Sequence, residues 1–191
     1  MGYDEKIFKA KANIKARRLW LVFAILLTAN YGTDTANGAY SINNYIIFVI
    51  LCWLPFVCGD ILLKKKGKDN DHYRLAFVIG YGIFYVFLLC TTTSPIAFTY
   101  ILPIISLIVI FKDEKFMIYC AVANMLSLIA SIAFHIFVLG QNTAIDHKNY
   151  QLQIACLLLC YIGYIMSVRH LTESDAALTE SIKSDLNRVV T

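Results

Sequence analysis

Residues 46–63 read IIFVILCWLPFVCGDILL, and the residues that follow, 64–68, read KKKGK. The first stretch is apolar apart from Asp60. As a helix it would be about 27 Å long, close to the roughly 30 Å hydrocarbon core of a bilayer. Lysines at the end of such a stretch are typical of the cytoplasmic flank of a membrane span. The two stretches therefore predict a transmembrane helix together with its orientation.

Similar apolar stretches recur along the chain, which is 59% hydrophobic with a mean hydropathy of +0.62. They predict six spans, at residues 19–36, 46–63, 75–92, 96–111, 116–139 and 150–168. The expected fold class is all-α: a polytopic membrane protein built as a six-transmembrane-helix bundle. A basic N-terminal segment at 1–18 precedes the bundle, and a cytoplasmic amphipathic helix at 169–191 follows it.

The basic residues lie almost entirely on one side of this six-span pattern. Of the 17 Lys and Arg residues, only Lys148 falls on the opposite side. Because Lys and Arg are retained in cytoplasmic loops, both termini are expected in the cytoplasm and the protein in the cell (inner) membrane. The net charge of +4 then reflects topology and does not indicate nucleic-acid binding. The run at 64–68 is expected to contact lipid head groups.

The first span has a short apolar core, Leu19 to Ala29, behind a basic flank, which is also the pattern of a signal peptide. No clear cleavage site follows, because Asn37 and Gly38 interrupt the candidate positions near Ala36 and Ala39. We therefore expect a retained span, with a cleaved signal peptide as the alternative.

The sequence changes in character after Arg169, where residues 171–191 read LTESDAALTESIKSDLNRVVT. Its apolar residues recur at spacings of 7, 4, 4 and 3, which is an approximate coiled-coil stripe. A parallel dimerisation and signalling helix is expected, using Leu171, Leu178, Ile182 and Val189. The expectation is that the natural chain continues into a cytoplasmic output domain; the alternative is a short tail lying on the lipid surface.

Polar side chains form two stripes within the predicted spans. Polar groups are kept in membranes where they pack helices together or line a cavity. The stripe in span 5 comprises Cys120, Asn124, Ser127, Ser131 and His135, and the stripe in span 1 comprises Asn30, Asp34 and Asn37.

These stripes suggest a ligand-binding cavity in the outer half of the membrane, lined by Asp34 and His135 at matching depth. The other candidate lining residues are Thr92, Tyr100, Asn124, Ser131 and Gln151. An imidazole near a carboxylate would titrate close to neutral pH, so external pH is a candidate stimulus. In the alternative reading the stripes only pack helices, Asp34 is solvated, and His135 bonds a backbone carbonyl on a neighbouring helix.

The sequence carries no signature of catalysis or of a cofactor. Its six cysteines lie within or at the ends of apolar stretches without metal-ligand spacing, so neither a disulfide framework nor a zinc site is expected. Motifs of metalloproteases, phosphate-binding loops and nucleophile elbows are absent. We therefore expect no enzyme, no cofactor and no metal. The GYG triplet at 80–82 is interpreted as a site of close helix packing.

Six short-looped spans followed directly by LTESDAALTESIKSDLNRVV resemble the multi-span membrane sensor of a bacterial methyl-accepting chemotaxis protein. The resemblance implies a homodimer in which a small ligand, pH or a bilayer change moves span 6 and the helix after Arg169. It also implies signalling partners in the cytoplasm or an output domain. The cytoplasmic hairpin typical of chemoreceptors is missing from this chain, which leaves the output open. A small transporter or channel is the main alternative, and a membrane enzyme or a scaffold subunit the others.

Overall fold

The computed structural model describes residues 3–92 and 94–190, leaving out the side chains at 3, 4, 189 and 190. The described residues form helices joined by short turns and contain no strand. Its α-helices are α1 (Tyr3–Ala36), α2 (Ile42–Lys66), α3 (His72–Thr91), α4 (Leu102–Ile108), α5 (Glu114–Phe137) and α6 (Ala144–Val190). Short 3-10 helices, Ala97–Ile101 and Val109–Phe111, flank α4. The all-α prediction is confirmed.

Four of these helices, α2, α3, α5 and α6, are long and apolar enough to cross a membrane, which is the character of a membrane protein. The remaining two predicted spans take other forms. The first lies in the C-terminal half of α1, whose N-terminal half is basic. The fourth is the shorter apolar segment Ala97–Phe111.

The α2–α3 hairpin packs tightly because of its sequence. Ser41 caps α2 by accepting a hydrogen bond from the Asn44 N–H at 3.2 Å. Gly67 ends the helix with a φ of +93°, a conformation that glycine adopts without strain. Where the two helices cross, a Cβ atom at Gly80 would lie only 2.3 Å from the Pro55 Cβ. This close approach confirms the interpretation of the GYG triplet as a packing site.

The fourth predicted span is not one continuous α-helix. The chain enters α4 through the 3-10 helix Ala97–Ile101, and Pro103 lies in the first turn of α4, where its missing N–H costs no helical bond. Two hydroxyls from α3 bond carbonyls of this segment: Tyr81 donates to the Tyr100 carbonyl at 2.6 Å, and Tyr85 to the Phe98 carbonyl at 3.0 Å. Irregular backbone at membrane depth is tolerated when protein groups pair with it in this way.

The helices contact one another in a closed ring, and their order around the ring differs from their order in the sequence. α1 packs on α2, α2 on α3, α3 on α5 and α5 on α6. α6 then packs on α4, and the 3-10 helix Val109–Phe111 returns to α1. The segment that holds α4 is deeply buried, with isoleucines at 101, 104, 105 and 108 almost fully covered.

The last helix, α6, is a single element of 47 residues, about 70 Å long, and it does not break at Arg169. Two ion pairs tie it to the turn between α4 and α5: Arg169 with Glu114, and Lys112 with Asp175. Every described side chain after Arg169 is exposed. This includes the predicted dimerisation residues Leu171, Leu178 and Ile182, whereas the side chain of Val189 lies outside the described residues.

Candidate functional site

His135, near the end of α5, occupies a buried position between α3 and the loop that leads to α6. Its Nε2 lies 2.8 Å from the Leu89 carbonyl oxygen and its Nδ1 lies 2.7 Å from Gln141 Oε1. The Leu89 carbonyl belongs to the last turn of α3, where helical carbonyls lack an intrahelical partner. His135 therefore completes the C-terminal end of a neighbouring helix, as the helix-packing alternative expected.

The protonation of His135 is linked to the orientation of the Gln141 amide. A carbonyl can only accept a hydrogen bond, so Nε2 carries a proton that it donates to Leu89. A neutral ring must then accept at Nδ1, which requires the amide NH2 of Gln141, whereas an imidazolium donates from Nδ1 to the amide oxygen. The contact at Nδ1 therefore depends on which way the Gln141 amide is turned.

A small cavity of about 70 Å³ adjoins His135 at the end of the bundle where α3 and α5 end and α6 begins, which is called the outer end here because the six-span prediction places it outside. It unites three of the predicted site residues, Thr92, Ser131 and His135. A water molecule occupies roughly 30 Å³ in the liquid, so the cavity has room for about two waters. Pockets for drug-sized ligands measure about 300–1,000 Å³, so this cavity suits a proton, a small ion or water.

Thr92 and Ser131 have partners that fix them in the cavity wall. The Thr92 hydroxyl lies 3.0 Å from the Tyr40 hydroxyl and accepts the Ser94 N–H at 3.2 Å. The Ser131 hydroxyl donates to the Leu128 carbonyl at 2.9 Å on its own helix. Thr92 thereby joins the end of α3 to the turn between α1 and α2.

Asp34 and Tyr100 lie elsewhere at the outer end and do not line this cavity. Tyr100 lies beside α1, where its hydroxyl accepts a hydrogen bond from Asn30 at 3.4 Å. Asp34 is half-buried on the same helix. The carboxylate that shares the cavity with His135 is instead Asp146 of α6.

Two further predicted residues also lie away from the cavity. Asn124 is deeper in the bundle, where its side-chain amide donates to the Tyr161 hydroxyl of α6. Gln151 is exposed on the surface of α6. The polar stripe of α5 therefore has two separate roles. Asn124 bonds α6 within the bundle, whereas Ser131 and His135 line the outer cavity.

The structure adds lining residues that the sequence reasoning did not select: Gln141, Asp146, Tyr150 and Gln153. The sequence does contain a signal for Asp146, in the form of a helix-capping pair. Thr143 and Asp146 are three residues apart and cap the start of α6 reciprocally, with Asp146 accepting from the Thr143 N–H at 2.9 Å and Thr143 accepting from the Asp146 N–H at 3.2 Å. Tyr150 and Gln153 are also three residues apart, which places them on one face of the helix.

Within residues 3–92 and 94–190, no group of three or more His, Cys, Asp or Glu side chains could hold a metal ion. Comparison with known proteins gives no relative: no family model, no curated protein and no solved structure matches this chain. The site must therefore be interpreted from its own chemistry.

Proposed function

We propose that this chain is the membrane sensor module of a signalling protein. In this proposal it spans the cell membrane six times with both termini in the cytoplasm, and it works as a homodimer. A stimulus at the outer end moves α6, and the exposed part of α6 passes the movement to a cytoplasmic output of the chemotaxis type or a related one. α1 and Ala97–Phe111 would supply the two spans beyond the four long apolar helices.

The observation that carries this proposal is the continuity of α6. Its first turns line the outer cavity through Asp146, Tyr150 and Gln153. The same helix continues without interruption to Val190, well beyond its ion pairs with the bundle. A change at the cavity would therefore act directly on the helix that leaves the bundle.

A few directional bonds connect α6 to its neighbours along its length. Gln153 donates to the Pro95 carbonyl at 2.9 Å, and farther along the Tyr164 hydroxyl lies 2.6 Å from the Ser106 hydroxyl. Many side chains between these points face outward, so α6 is attached on one side only. A helix held in this way can shift by exchanging a small number of hydrogen bonds, which suits a two-state element.

The cavity volume favours a small stimulus over an organic ligand. His135 is the natural detector, because histidine is the side chain that ordinarily changes charge between about pH 5 and 8. The titratable groups that line the cavity with it are Asp146 and Tyr150, both on α6. Protonation of His135 would place a positive charge beside α6.

Crosslinking between subunits tests the dimer. Single cysteines at Leu178 or Ile182 should crosslink several-fold faster than cysteines at Thr179 or Lys183, in a background where the six native cysteines are replaced by alanine. The reason is that a parallel pair brings its apolar stripe together and turns the polar positions outward. Equal rates at all four positions would contradict a paired exit helix.

The same cysteine variants test the proton response. Lowering the external pH from about 7.5 to about 5.5 should change the crosslinking rate at Leu178, and His135→Gln should abolish that change. The matched control is His147→Gln, because His147 is an exposed histidine of the same outer region. A pH response that survives His135→Gln would remove His135 as the detector.

A further inference from the structure

A groove of about 620 Å³ lies between α1 and α2 at the basic end of the bundle, which is the end where α2 finishes and where α3 and α5 begin. Its lining comes from the middle of α1, from the last turns of α2 and from the turn that follows α2: Ile14, Arg17, Arg18, Asp60, Leu63, Lys64, Gly67 and Lys68. Half of these residues are basic and one is acidic, so the lining carries an excess of positive charge.

One of the four cations is neutralised within the groove. The Arg17 guanidinium donates from Nε to Asp60 Oδ1 at 2.5 Å and from Nη2 to Asp60 Oδ2 at 2.7 Å, which makes a bidentate pair. Asp60 is the only carboxylate among the lining residues. The acidic charge of the groove is therefore already balanced by Arg17.

The other three cations, Arg18, Lys64 and Lys68, are uncompensated. All three are exposed, and among the described side chains none of them has a carboxylate within ion-pair distance. Asp69 follows Lys68 in the chain but does not line the groove. Even when the charge of Asp69 is counted, two positive charges remain in excess.

The groove lies at the level where both helices change from charged to apolar. The apolar half of α1 begins at Leu19, directly after Arg18, and the apolar stretch of α2 ends at Leu63, directly before Lys64. In membrane helices lysine and arginine mark the boundary between the hydrocarbon and the cytoplasmic side. A ligand in the groove would therefore lie at the depth of the lipid head groups.

Exposed apolar side chains continue the same helix faces into the apolar part of the bundle. On α1, Val22 and Ile25 follow Arg18 by four and seven residues, and they are 48% and 52% exposed. On α2, Val57 precedes Lys64 by seven residues and is 47% exposed. A cationic groove that adjoins an exposed apolar surface matches a molecule with an anionic head and an acyl tail.

We propose that this groove binds the head group of one anionic phospholipid, with the lipid phosphate between Arg18 of α1 and Lys64 and Lys68 of α2. A guanidinium and two ammonium groups offer donors to several phosphate oxygens at once. The bound lipid would connect α1 to α2 beside the Arg17–Asp60 pair.

This proposal is more specific than the general contact with head groups expected of the run at 64–68. It assigns a defined site to Lys64 and Lys68 and gives no role to Lys65 and Lys66, which do not line the groove. It also predicts selectivity, because a zwitterionic lipid would bring its own ammonium group towards the three cations. The proposal goes beyond the sensor function and does not rest on it.

The test uses the full chain in an uncharged detergent, titrated with phosphatidylglycerol or with phosphatidylcholine of the same acyl chains. Mass spectrometry under non-denaturing conditions counts the lipids bound to each molecule and gives the dissociation constant of the first one. The first phosphatidylglycerol should bind about tenfold more tightly than the first phosphatidylcholine, since several cations each contribute to the attraction.

Arg18→Gln and Lys64→Gln should each weaken the binding of phosphatidylglycerol by about fivefold and leave phosphatidylcholine unchanged. Lys65→Gln is the matched control, because Lys65 is equally exposed and lies in the same lysine run but outside the groove, and it should leave both affinities unchanged. Glutamine and lysine have similar helix propensities, and none of the three side chains forms an ion pair with a described residue. The thermal unfolding temperature without added lipid should therefore stay the same in all three variants.

Three results would overturn the proposal. The first is equal affinity for the two lipids. The second is that Lys65→Gln weakens the binding of phosphatidylglycerol as much as Lys64→Gln does, since the attraction would then come from diffuse surface charge. The third is displacement of phosphatidylglycerol by inorganic phosphate at a similar concentration, which would assign the groove to a soluble anion.

Discussion

Asn124 and Tyr161 form the most buried polar link between two long helices. Asn124 is 7% exposed and Tyr161 is 2% exposed, and the amide of the first donates to the hydroxyl of the second. Neither side chain can reach water, so each provides the other with a partner that the apolar surroundings lack. The pair therefore fixes how α5 and α6 lie against each other at this depth.

Tyr161→Phe should lower the free energy of unfolding by about 1–3 kcal/mol, because it strands the buried amide of Asn124. Adding Asn124→Leu should recover part of this loss, since both polar partners are then gone. The measurement is a double-mutant cycle by SDS unfolding in mixed micelles. Tyr164→Phe is the control and should cost less, because its partner Ser106 is exposed and also bonds the Leu102 carbonyl. Additive effects at Asn124 and Tyr161 would argue against the link.

At the scale of the element, the packing of the α2–α3 hairpin depends on the absence of a side chain at Gly80. Gly80 lies against Pro55 and against the Trp20 ring, which also contacts Phe77 edge-on at 4.6 Å between ring centres. Any side chain at this position would push α3 away from α1 and α2 together. The neighbouring Gly82, by contrast, faces open space.

Gly80→Ala should therefore destabilise the protein by about 1–3 kcal/mol, because well-packed interfaces do not absorb an extra methyl group without shifting backbone. Gly82→Ala is the matched control on the same helix. It should be neutral or slightly stabilising, since alanine favours the helix more than glycine does. Thermal unfolding of both variants in detergent gives the comparison. If Gly80→Ala were as neutral or stabilising as Gly82→Ala, helix propensity, and not packing, would govern this site.

At the scale of the whole molecule, the two ends of the bundle differ in how they are held together. Ion pairs between separate elements, such as Lys9 with Asp71 and Arg74 with Asp113, lie at the basic end. The outer end is held by neutral bonds and stacked rings, including Tyr31 against Tyr40 at 4.4 Å between ring centres. A basic end rich in charge suits the cytoplasmic face of a membrane.

The predicted topology follows from this asymmetry and can be tested by labelling. Single cysteines at Lys68 and at Asn142, both exposed positions, are introduced into the cysteine-free background. A membrane-impermeant maleimide applied to intact cells should label Asn142→Cys and not Lys68→Cys. Lys68→Cys should become reactive once the cells are permeabilised, which serves as the control. Its labelling in intact cells would reverse the orientation.

The helical fold could be predicted from the sequence because apolar runs of sufficient length between charged turns leave few alternatives to a helix. The 3-10 helices on either side of α4 could not be predicted from the sequence. The backbone of the first of them is paired by hydroxyls of Tyr81 and Tyr85 from another helix, and the residue types of the segment itself carry no information about such partners. The sequence predicts a helix directly after span 6, but the change in composition at Arg169 gives no sign that the two form one unbroken element.

The candidate site was predictable only in part. Thr92, Ser131 and His135 were found because buried polar residues at helical spacing are conspicuous in an apolar chain. The partner of His135 at Nε2 is a backbone carbonyl 46 positions away, and residue type carries no information about such a contact. For the same reason the carboxylate was assigned to Asp34, at matching depth, when the folded chain brings Asp146 to the cavity.

The attachment of α6 beside the turn between α4 and α5 gives the helix the mechanics of a lever. The ion pairs at Arg169 and Asp175 form its fulcrum, with an inner arm of about 42 Å and a projecting arm of about 27 Å. A tilt of about 5° would displace the outer end by about 4 Å and the projecting end by about 2 Å in the opposite direction. In a symmetrical pair, the two projecting ends would move apart by about twice the 2 Å displacement of one end. A shift at the cavity comparable to the size of one water molecule would therefore change the spacing between the two exit helices.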